Sequence, residues 1–491
     1  MVPILESFAT ALVFAMLSGL LFRNIHRAAI WSSANLIYFF TYGGVFRMVR
    51  YTVPGSHKIL LAVGIVMNIV ILYFLWKRKP DMAAWSPRLN GAALILFALP
   101  FVSIIRFEIQ AGFEADVPRQ TVNPLGLVKG ARSDSLKNRP DIYHIMMDAY
   151  SRDDVLKTAY HFDNQPFLQG LRGRGFQIGR GGSSNYSATD LSMTSALNMN
   201  YLDSLDVQLQ GEHQAWKKLE SLRNDSRVVQ FLKSFGYRWI VVPHGWENSL
   251  PEKADAIHMP PEDGDAIYLS EFENGFLAMT PVRYLLSALG MNGLRKRTQH
   301  ANRILFEFDY LMDCANEKGP KYVFVHILAP HTPVVFGPEG DLKLDIPDMN
   351  HLRIADPSRF RLAATGEIAY LNKRLLRIVD KIIKDSKGNA VILLHSDHGE
   401  SVLEFSDDPE FLVQRHGVLA ALYLPGGAKD TRFYPRISNV NFFRFIFNHL
   451  FDSGFPMLPD RTWYSSTSAP FLFREITGVL DSAAAARGIP E

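Results

Sequence analysis

Residues 390–400, AVILLHSDHGE, form an apolar run that stops abruptly on an Asp-His-Gly-Glu turn. Five consecutive apolar side chains, Ala390 to Leu394, suit a strand buried on both faces of a parallel sheet. In such sheets ligand sites gather at the carboxyl ends of the strands, and Asp397 and His398 stand at that end. A carboxylate oxygen beside an imidazole nitrogen offers two ligand types that zinc or manganese accepts, while Gly399 allows a sharp turn. An isolated Asp-His pair more often makes a hydrogen-bonded surface corner, so the reading depends on what the rest of the chain brings to the same place.

Further strand-like apolar runs fall at 142–147, 237–242, 322–328 and 418–424, alternating with helix-like segments at 226–235, 301–316, 364–384 and 439–451. That alternation predicts an α/β three-layer sandwich with a largely parallel sheet. The domain spans 140–475. Residues 111–139 are polar and interrupted by Pro118 and Pro124, as in a linker. Residues 476–491, with the alanine run Ala483 to Ala486, read as a frayed tail. Segment 247–296 fits the alternation poorly: Pro251, Pro260, Pro261 and acidic clusters precede an apolar run at 276–291. It reads either as an insertion that covers the site or lies on a bilayer, or as a plain surface excursion.

The first strand, DIYHIMMDAY, ends on Asp148, a second carboxylate for the same sheet edge, unless it serves as a cap or turn residue. Asp148, Asp397 and His398 together can surround one divalent ion and leave a position open for substrate. A Gly- and Ser-rich loop follows, GRGGSSNYSATDLSMTSALNM, in which Thr189 stands at or near a helix amino terminus. There it is either an N-cap or a hydroxyl presented to an anion-binding helix end; Ser187 and Ser192 compete with it. A hydroxyl is a weak nucleophile until a metal or base activates it. In KYVFVHILAPHTPVVF, His331 sits between Pro330 and Pro333 at a strand end, placed to contact a phosphoryl oxygen or protonate a leaving group. His416, before the run at 418–424, is a further substrate contact, whereas His326, His144 and His244 read as structural.

Before residue 110 the chain has four apolar stretches free of Asp, Glu, Lys and Arg, at 7–22, 28–46, 59–76 and 89–105. Each approaches the roughly 20 residues a spanning helix needs, and soluble proteins seldom place such runs in succession between short basic loops. Glu6, not a basic residue, precedes the first run, which argues against a cleaved signal peptide. Arg23, Arg27, Lys77, Arg78, Lys79 and Arg88 fill the first and third loops, against Arg47, Arg50 and Lys58 in the second. The positive-inside rule then puts the amino terminus outside and, after four spans over 1–110, the large remainder there too. Cys314 is the only cysteine, so no intrachain disulfide exists. A net charge of +3 over 491 residues does not suggest nucleic acid as a partner.

The order strand-Asp148, hydroxyl loop with Thr189, APHTP with His331, then SDHGE with Asp397 and His398 resembles the alkaline phosphatase and sulfatase superfamily over about 140–473. With apolar spans ahead of the domain, it looks like the membrane-anchored phosphoethanolamine transferases and lipoteichoic acid synthases. The resemblance implies an alkaline-phosphatase-like fold, with Asp148, Asp397 and His398 as metal ligands and Thr189 as the metal-bound nucleophile. His331 and His416 would contact the transferred group. It implies one divalent ion, zinc or manganese first and magnesium or calcium as alternatives. The expected activity is transfer of a phospho-substituent, such as phosphoethanolamine or phosphoglycerol, from a phospholipid or similar donor to an envelope glycan or lipid. The expected location is the inner (cytoplasmic) membrane, multi-pass, with the catalytic domain periplasmic. A membrane-tethered phosphodiesterase or phosphatase, or a non-catalytic envelope binding protein, is the alternative. Two departures stand out. The loop reads Thr189-Asp190-Leu191-Ser192-Met193 where a sulfatase needs C/S-x-P-x-R, which argues against sulfate esters, and no Asp precedes His331 to complete a two-zinc set.

Overall fold

The computed structural model describes residues 2–49, 56–78, 139–205, 212–245, 251–260, 291–343, 349–403 and 406–490, with residues 277, 279–282 and 284. Two compact units divide the chain, Met1–Arg119 with Glu262–Arg295, and Gln120–Pro261 with Lys296–Glu491.

In the first unit, helices α1 (Val2–Leu21), α2 (Ile25–Val49) and α3 (Ser56–Tyr73) cover three of the four apolar runs. The expectation of four spans is corrected: among the described residues one helix, Ser56–Lys77, is long and apolar enough to cross a membrane, and a shorter apolar helix covers Ala9–Leu21. The fourth run, 89–105, lies outside the described residues, as does the expected linker except Arg139. What lowers the hydropathy of α2 is a set of polar side chains turned toward its neighbours. Ser32 donates to the Phe14 carbonyl (3.1 Å), Tyr38 to the Leu60 carbonyl (2.7 Å) and Tyr42 to the His57 carbonyl (3.0 Å). Asn68 of α3 donates to Asn35 at 2.9 Å. Part of segment 247–296 belongs here as well: the Met279 carbonyl accepts from Gly43 N, and the Tyr284 ring lies 4.5 Å from that of Phe46.

The second unit is built on a sheet in the order β2-β7-β6-β1-β5-β3-β4. The strands are β1 (Asp141–Asp148), β2 (Gln177–Ile178), β3 (Arg238–Val242), β4 (Ala256–Ile257), β5 (Lys321–Pro330), β6 (Ala390–Ser396) and β7 (Ala420–Tyr423). From β6 through β1, β5 and β3 to β4 all pairings are parallel, while β7 runs antiparallel to β6 and β2 to β7. This is an α/β fold with a mixed, mostly parallel seven-stranded sheet. Every residue of β6 is buried, as its unbroken apolar run requires. Alternate residues feed two cores: Tyr143, Ile145 and Met147 of β1 join one, Ile142 and Met146 the other.

The helices that cover these faces are α4 (Asp153–Ala159), α5 (Gln165–Gly173), α6 (Thr189–Asn198), α7 (Glu212–Asn224), α8 (Arg227–Ser234), α9 (Met291–Asp313), α10 (Met349–Ala355), α11 (Pro357–Asp385), α12 (Pro409–His416) and α13 (Phe442–Phe451). Phe308 of α9 and Leu371 and Leu375 of α11 pack into the first core, Met193 of α6, Phe231 of α8 and Phe443 of α13 into the second. Two further strands, β8 (Trp463–Ser466) and β9 (Ala469–Glu475), form a hairpin. The stretch expected to fray is instead α14 (Thr477–Ala486). It is tied down because Arg487 pairs with Asp154 of α4 and Glu410 of α12, both at 2.7 Å, and Ile489 is buried.

Candidate active site and metal centre

β1 lies between β6 and β5, so its carboxyl end meets theirs. Met147 sits opposite Ser396 across the β1–β6 pairing, which brings Asp148 beside Asp397 and His398. Ligand atoms of these three residues all lie within 4.8 Å of one another, and all three side chains are buried. His398 Nε2 is 3.4 Å from Asp397 Oδ2 and 3.7 Å from Asp148 Oδ1. Both of those carboxylate oxygens are buried and have no hydrogen-bond partner among the described residues. His398 Nδ1 donates to the Gly399 carbonyl at 3.1 Å, which leaves Nε2 as a lone pair aimed at acceptor oxygens. Such convergence away from water is unfavourable unless a cation or a proton lies between the atoms. The donor set, two carboxylates and a neutral imidazole, fits zinc or manganese.

The electrostatics agree. Burial opposes charge on Asp148, but the imidazoles of His331, His326 and His398 hold its carboxyl well below the usual range. Burial and the Asp148 charge raise Asp397, the behaviour of two carboxylates sharing one site. Burial pushes His398 down to about 3, which keeps the ring neutral and able to act as a ligand.

Thr189 is the first residue of α6, and the N-cap is Ala188, which has no side-chain oxygen. Thr189 is therefore not a cap. Its Oγ1 stands 3.1 Å from His398 Nε2. The competing hydroxyls are engaged elsewhere: Ser187 donates to the Ser465 carbonyl at 3.2 Å and Ser192 to that of Asp397 at 2.6 Å. His331 follows β5, its backbone N–H donates to the Asp148 carbonyl (3.1 Å), and its ring centre lies 6.3 Å from that of His398. His416 is fully buried, with Nδ1 3.3 Å from the Ser184 carbonyl and Nε2 buried without a hydrogen-bond partner.

Gly399 has a different reason from the one expected. A Cβ there would stand 2.1 Å from the Gln414 carbonyl and 2.8 Å from that of Gly417, so the close approach of α12 demands glycine. Ala149 carries the turn strain instead. Its φ of 63° is left-handed, and its N–H donates to Asp397 Oδ1 at 3.1 Å.

Two neighbours escaped the sequence reading. His326, expected to be a core histidine, is buried as expected but lies with Nε2 3.4 Å from Asp148 Oδ2; a lone polar residue inside an apolar strand was the available signal. Arg415, at the end of α12, donates from Nε to the Ser187 carbonyl (2.7 Å) and from Nη1 to that of Gly399 (3.2 Å). Its Nη2 lies 3.2 Å from His398 Nε2. Only its place directly before His416 hinted at this.

Comparison with solved structures finds the C-terminal periplasmic domain of EptC from Escherichia coli in complex with zinc, at 13% identity, TM-score 0.43, covering 70% of this chain and 94% of that one. The soluble domain of lipooligosaccharide phosphoethanolamine transferase A from Neisseria meningitidis is 12% identical, TM-score 0.38, over 64% of this chain and 88% of that one. The phosphonate monoester hydrolase of Agrobacterium radiobacter is 13% identical, TM-score 0.39, over 72% and 84% respectively. No curated protein matches the sequence. The family model described as Sulfatase matches residues 140–453, nearly two thirds of the sequence, and the chain belongs to that family, within the alkaline phosphatase superfamily.

Proposed function

We propose that this protein is a membrane-anchored, metal-dependent transferase that moves a phospho-substituent, such as phosphoethanolamine or phosphoglycerol, from a phospholipid donor to an envelope glycan or lipid. The observation that carries the reading is Thr189 Oγ1 at 3.1 Å from His398 Nε2, inside a buried Asp/Asp/His cluster with two unpartnered carboxylate oxygens. Asp148, Asp397, His398 and Thr189 would hold the ion, which when bound lowers the hydroxyl pKa and offsets charge on the phosphoryl oxygens.

Thr189 would pass its proton to Nε2 of His331, and its oxygen bonds to phosphorus as the bond to the donor's alcohol oxygen breaks. His331, whose ring is held by the Nδ1–H bond to the Thr332 carbonyl at 2.7 Å, hands the proton taken from Thr189 on to that alcohol oxygen. His416, the other histidine proposed to contact the transferred group, is fully buried and takes no part in these proton transfers. An acceptor hydroxyl then bonds to phosphorus as the bond to the threonine oxygen breaks, and its proton returns through His331 to Thr189. No step needs an oxidant or a nucleotide.

Residues 1–110 are the anchor in this reading, 111–139 the linker, 140–475 the catalytic domain and 476–491 a C-terminal strap. Helix Ser56–Lys77 supports an anchor because its apolar side chains face outward: Ile65, Val66, Ile69 and Val70 are each about 60% exposed. Interhelical hydrogen bonds from α2 are what a central membrane helix uses to satisfy polar groups, which supports more than one span. The basic loops support a periplasmic catalytic domain.

The test is mass spectrometry of the full-length protein after incubation with zinc or manganese and vesicles of phosphatidylethanolamine and phosphatidylglycerol. A phosphoethanolamine or phosphoglycerol mass on the peptide containing Thr189, absent from Thr189→Ala, is the expected result. An adduct-free metal-loaded protein sinks the covalent mechanism, and an adduct that water discharges as fast as any glycan acceptor makes the enzyme a hydrolase.

A further inference from the structure

We infer that Glu367 of α11 is a positioning residue for His331, because its carboxyl group anchors the far end of the loop that carries this histidine. The role rests on His331 moving the proton in the proposed transfer, but it is carried by atoms that the transfer leaves unused. The loop begins where β5 ends. Its near end is fixed by the His331 N–H on the Asp148 carbonyl, and the His331 ring by Nδ1 on the Thr332 carbonyl. The far end is fixed by Glu367 Oε1, which accepts from Val335 N at 2.8 Å and from Phe336 N at 3.1 Å. Only Thr332, Pro333 and Val334 separate the two anchors, so a shift at Val335 passes to His331 with little slack to absorb it.

Glu367 acts from one face of α11. Gly366, Tyr370 and Lys373 recur at four- and three-residue intervals and share a side of the helix with it. A Cβ on Gly366 would stand 3.3 Å from Pro338 Cδ, the Tyr370 ring lies 4.9 Å from that of Phe336, and Lys373 Nζ donates to the Pro338 carbonyl at 3.1 Å. Val334, Val335 and Phe336 are buried in the first core. Within this contact Glu367 alone meets the backbone N–H groups, and two successive donors on one oxygen fix the direction of the loop as well as its place.

Stability by itself does not account for a glutamate here. The side chain is buried, and its Oε2 has no hydrogen-bond partner among the described residues. Burial pushes the carboxyl up to about 8, against the two N–H groups that lower it, so near neutral pH it is mostly the uncharged acid. A buried carboxyl with one oxygen unpartnered is unfavourable, and departures of this kind are expected where a site needs a particular geometry.

The experiment uses the full-length, zinc- or manganese-loaded protein and two donors. Phosphatidylethanolamine in vesicles has an alcohol that leaves only with a proton, whereas the aryl oxide of bis(4-nitrophenyl) phosphate leaves without one. Mass spectrometry times the Thr189 adduct from each, and metal content is measured alongside. Glu367→Leu should keep its metal and slow the adduct from phosphatidylethanolamine at least about 10-fold more than that from the aryl diester, because a misplaced proton donor burdens the alcohol most. His331→Asn should show the same bias. Glu367→Gln, which keeps the accepting oxygen and matches the uncharged acid, should restore the parent's ratio between donors to within about threefold. Equal slowing on both donors, or none, in Glu367→Leu while His331→Asn is biased overturns the inference and leaves the proposed function standing. An unbiased His331→Asn removes His331 as the proton carrier and the role of Glu367 with it, and a parent that forms no adduct from either donor sinks the proposed transfer itself. Should Glu367→Leu fail to fold or to load metal, Glu367→Asp decides by the same ratio, expected to change at least about threefold because its shorter side chain stops short of the two N–H groups.

Discussion

Two buried polar clusters lie on the same strands, a few residues apart, and they are built in opposite ways. In the sheet interior His144 of β1 and His395 of β6 meet at 2.7 Å through their Nε2 atoms, with rings stacked 4.9 Å apart. His395 Nδ1 donates to the Ser396 carbonyl, so His144 Nε2–H must donate to His395, and Tyr322 O–H must donate to His144 Nδ1 at 2.9 Å. One tautomer chain satisfies every member. At the strand ends, Asp148 Oδ1, Asp397 Oδ2 and His398 Nε2 face one another as acceptors, and the two oxygens have no partner. A satisfied buried network specifies a core, and an unsatisfied one with converging charge marks a place for a ligand.

The comparison breaks most visibly at Thr189. Thr189→Ala should lower turnover of a phosphodiester by roughly 10⁴- to 10⁶-fold, as nucleophile removal does elsewhere, with a normal unfolding midpoint; steady-state kinetics and thermal unfolding read the two effects. Zinc at 100 times its Kd should stabilise the parent by about 2.7 kcal/mol, and Asp148→Asn should abolish that increment while His144→Phe leaves it intact. Equal zinc responses in both variants would erase the distinction between the clusters.

Gly399→Ala, which presses a Cβ on the Gln414 carbonyl, should cost about 1–3 kcal/mol or more in denaturant unfolding. His144→Phe should cost a similar 1–3 kcal/mol by stranding His395, and His144→Phe with His395→Phe less than the sum of the single changes. The pH dependence sharpens this. Burial, with His395 beside it, holds His144 well below its ordinary 6.5, and burial lowers His395 to about 4. Below 6.5 the unfolded chain binds more protons than the folded one. The stability is therefore intact above about 6.5 and declines as pH falls toward 4, and the acid limb should flatten in the double variant. The smallest expected change is Arg487→Ala, about 1 kcal/mol or less, because the pairs it breaks with Asp154 and Glu410 are partly open to solvent.

Much of the fold was legible because its signals are local. The run at 390–394 became β6 and extended to Ser396, and 322–328 became β5 with two residues more at its carboxyl end. The direction of β7 was not legible, since an apolar run reads the same in a parallel or an antiparallel pairing. Nor was the division of segment 247–296, of which Ala256–Ile257 adds β4 to the sheet while Met279 and Tyr284 pack on α2. The spans of the amino-terminal unit were read from hydropathy alone. α2 departs from that reading because its Ser32, Asn35 and Tyr38 are meant for neighbouring helices, and hydropathy cannot see a neighbour.

By itself the amino-acid order determined which residue types stand at strand ends: Asp148 after β1, His331 after β5, Asp397 and His398 after β6. Alternation and apolar runs are properties of a dozen adjacent residues, and they survive without tertiary context. Tertiary structure alone decided that β1 lies between β6 and β5, that Thr189 rather than Ser187 or Ser192 is the hydroxyl at the corner, and that Arg415 reaches it from α12. The reason is physical. A chemical site is defined by which polar atoms are left unpaired at a shared point, and pairing is settled between residues some two hundred positions apart.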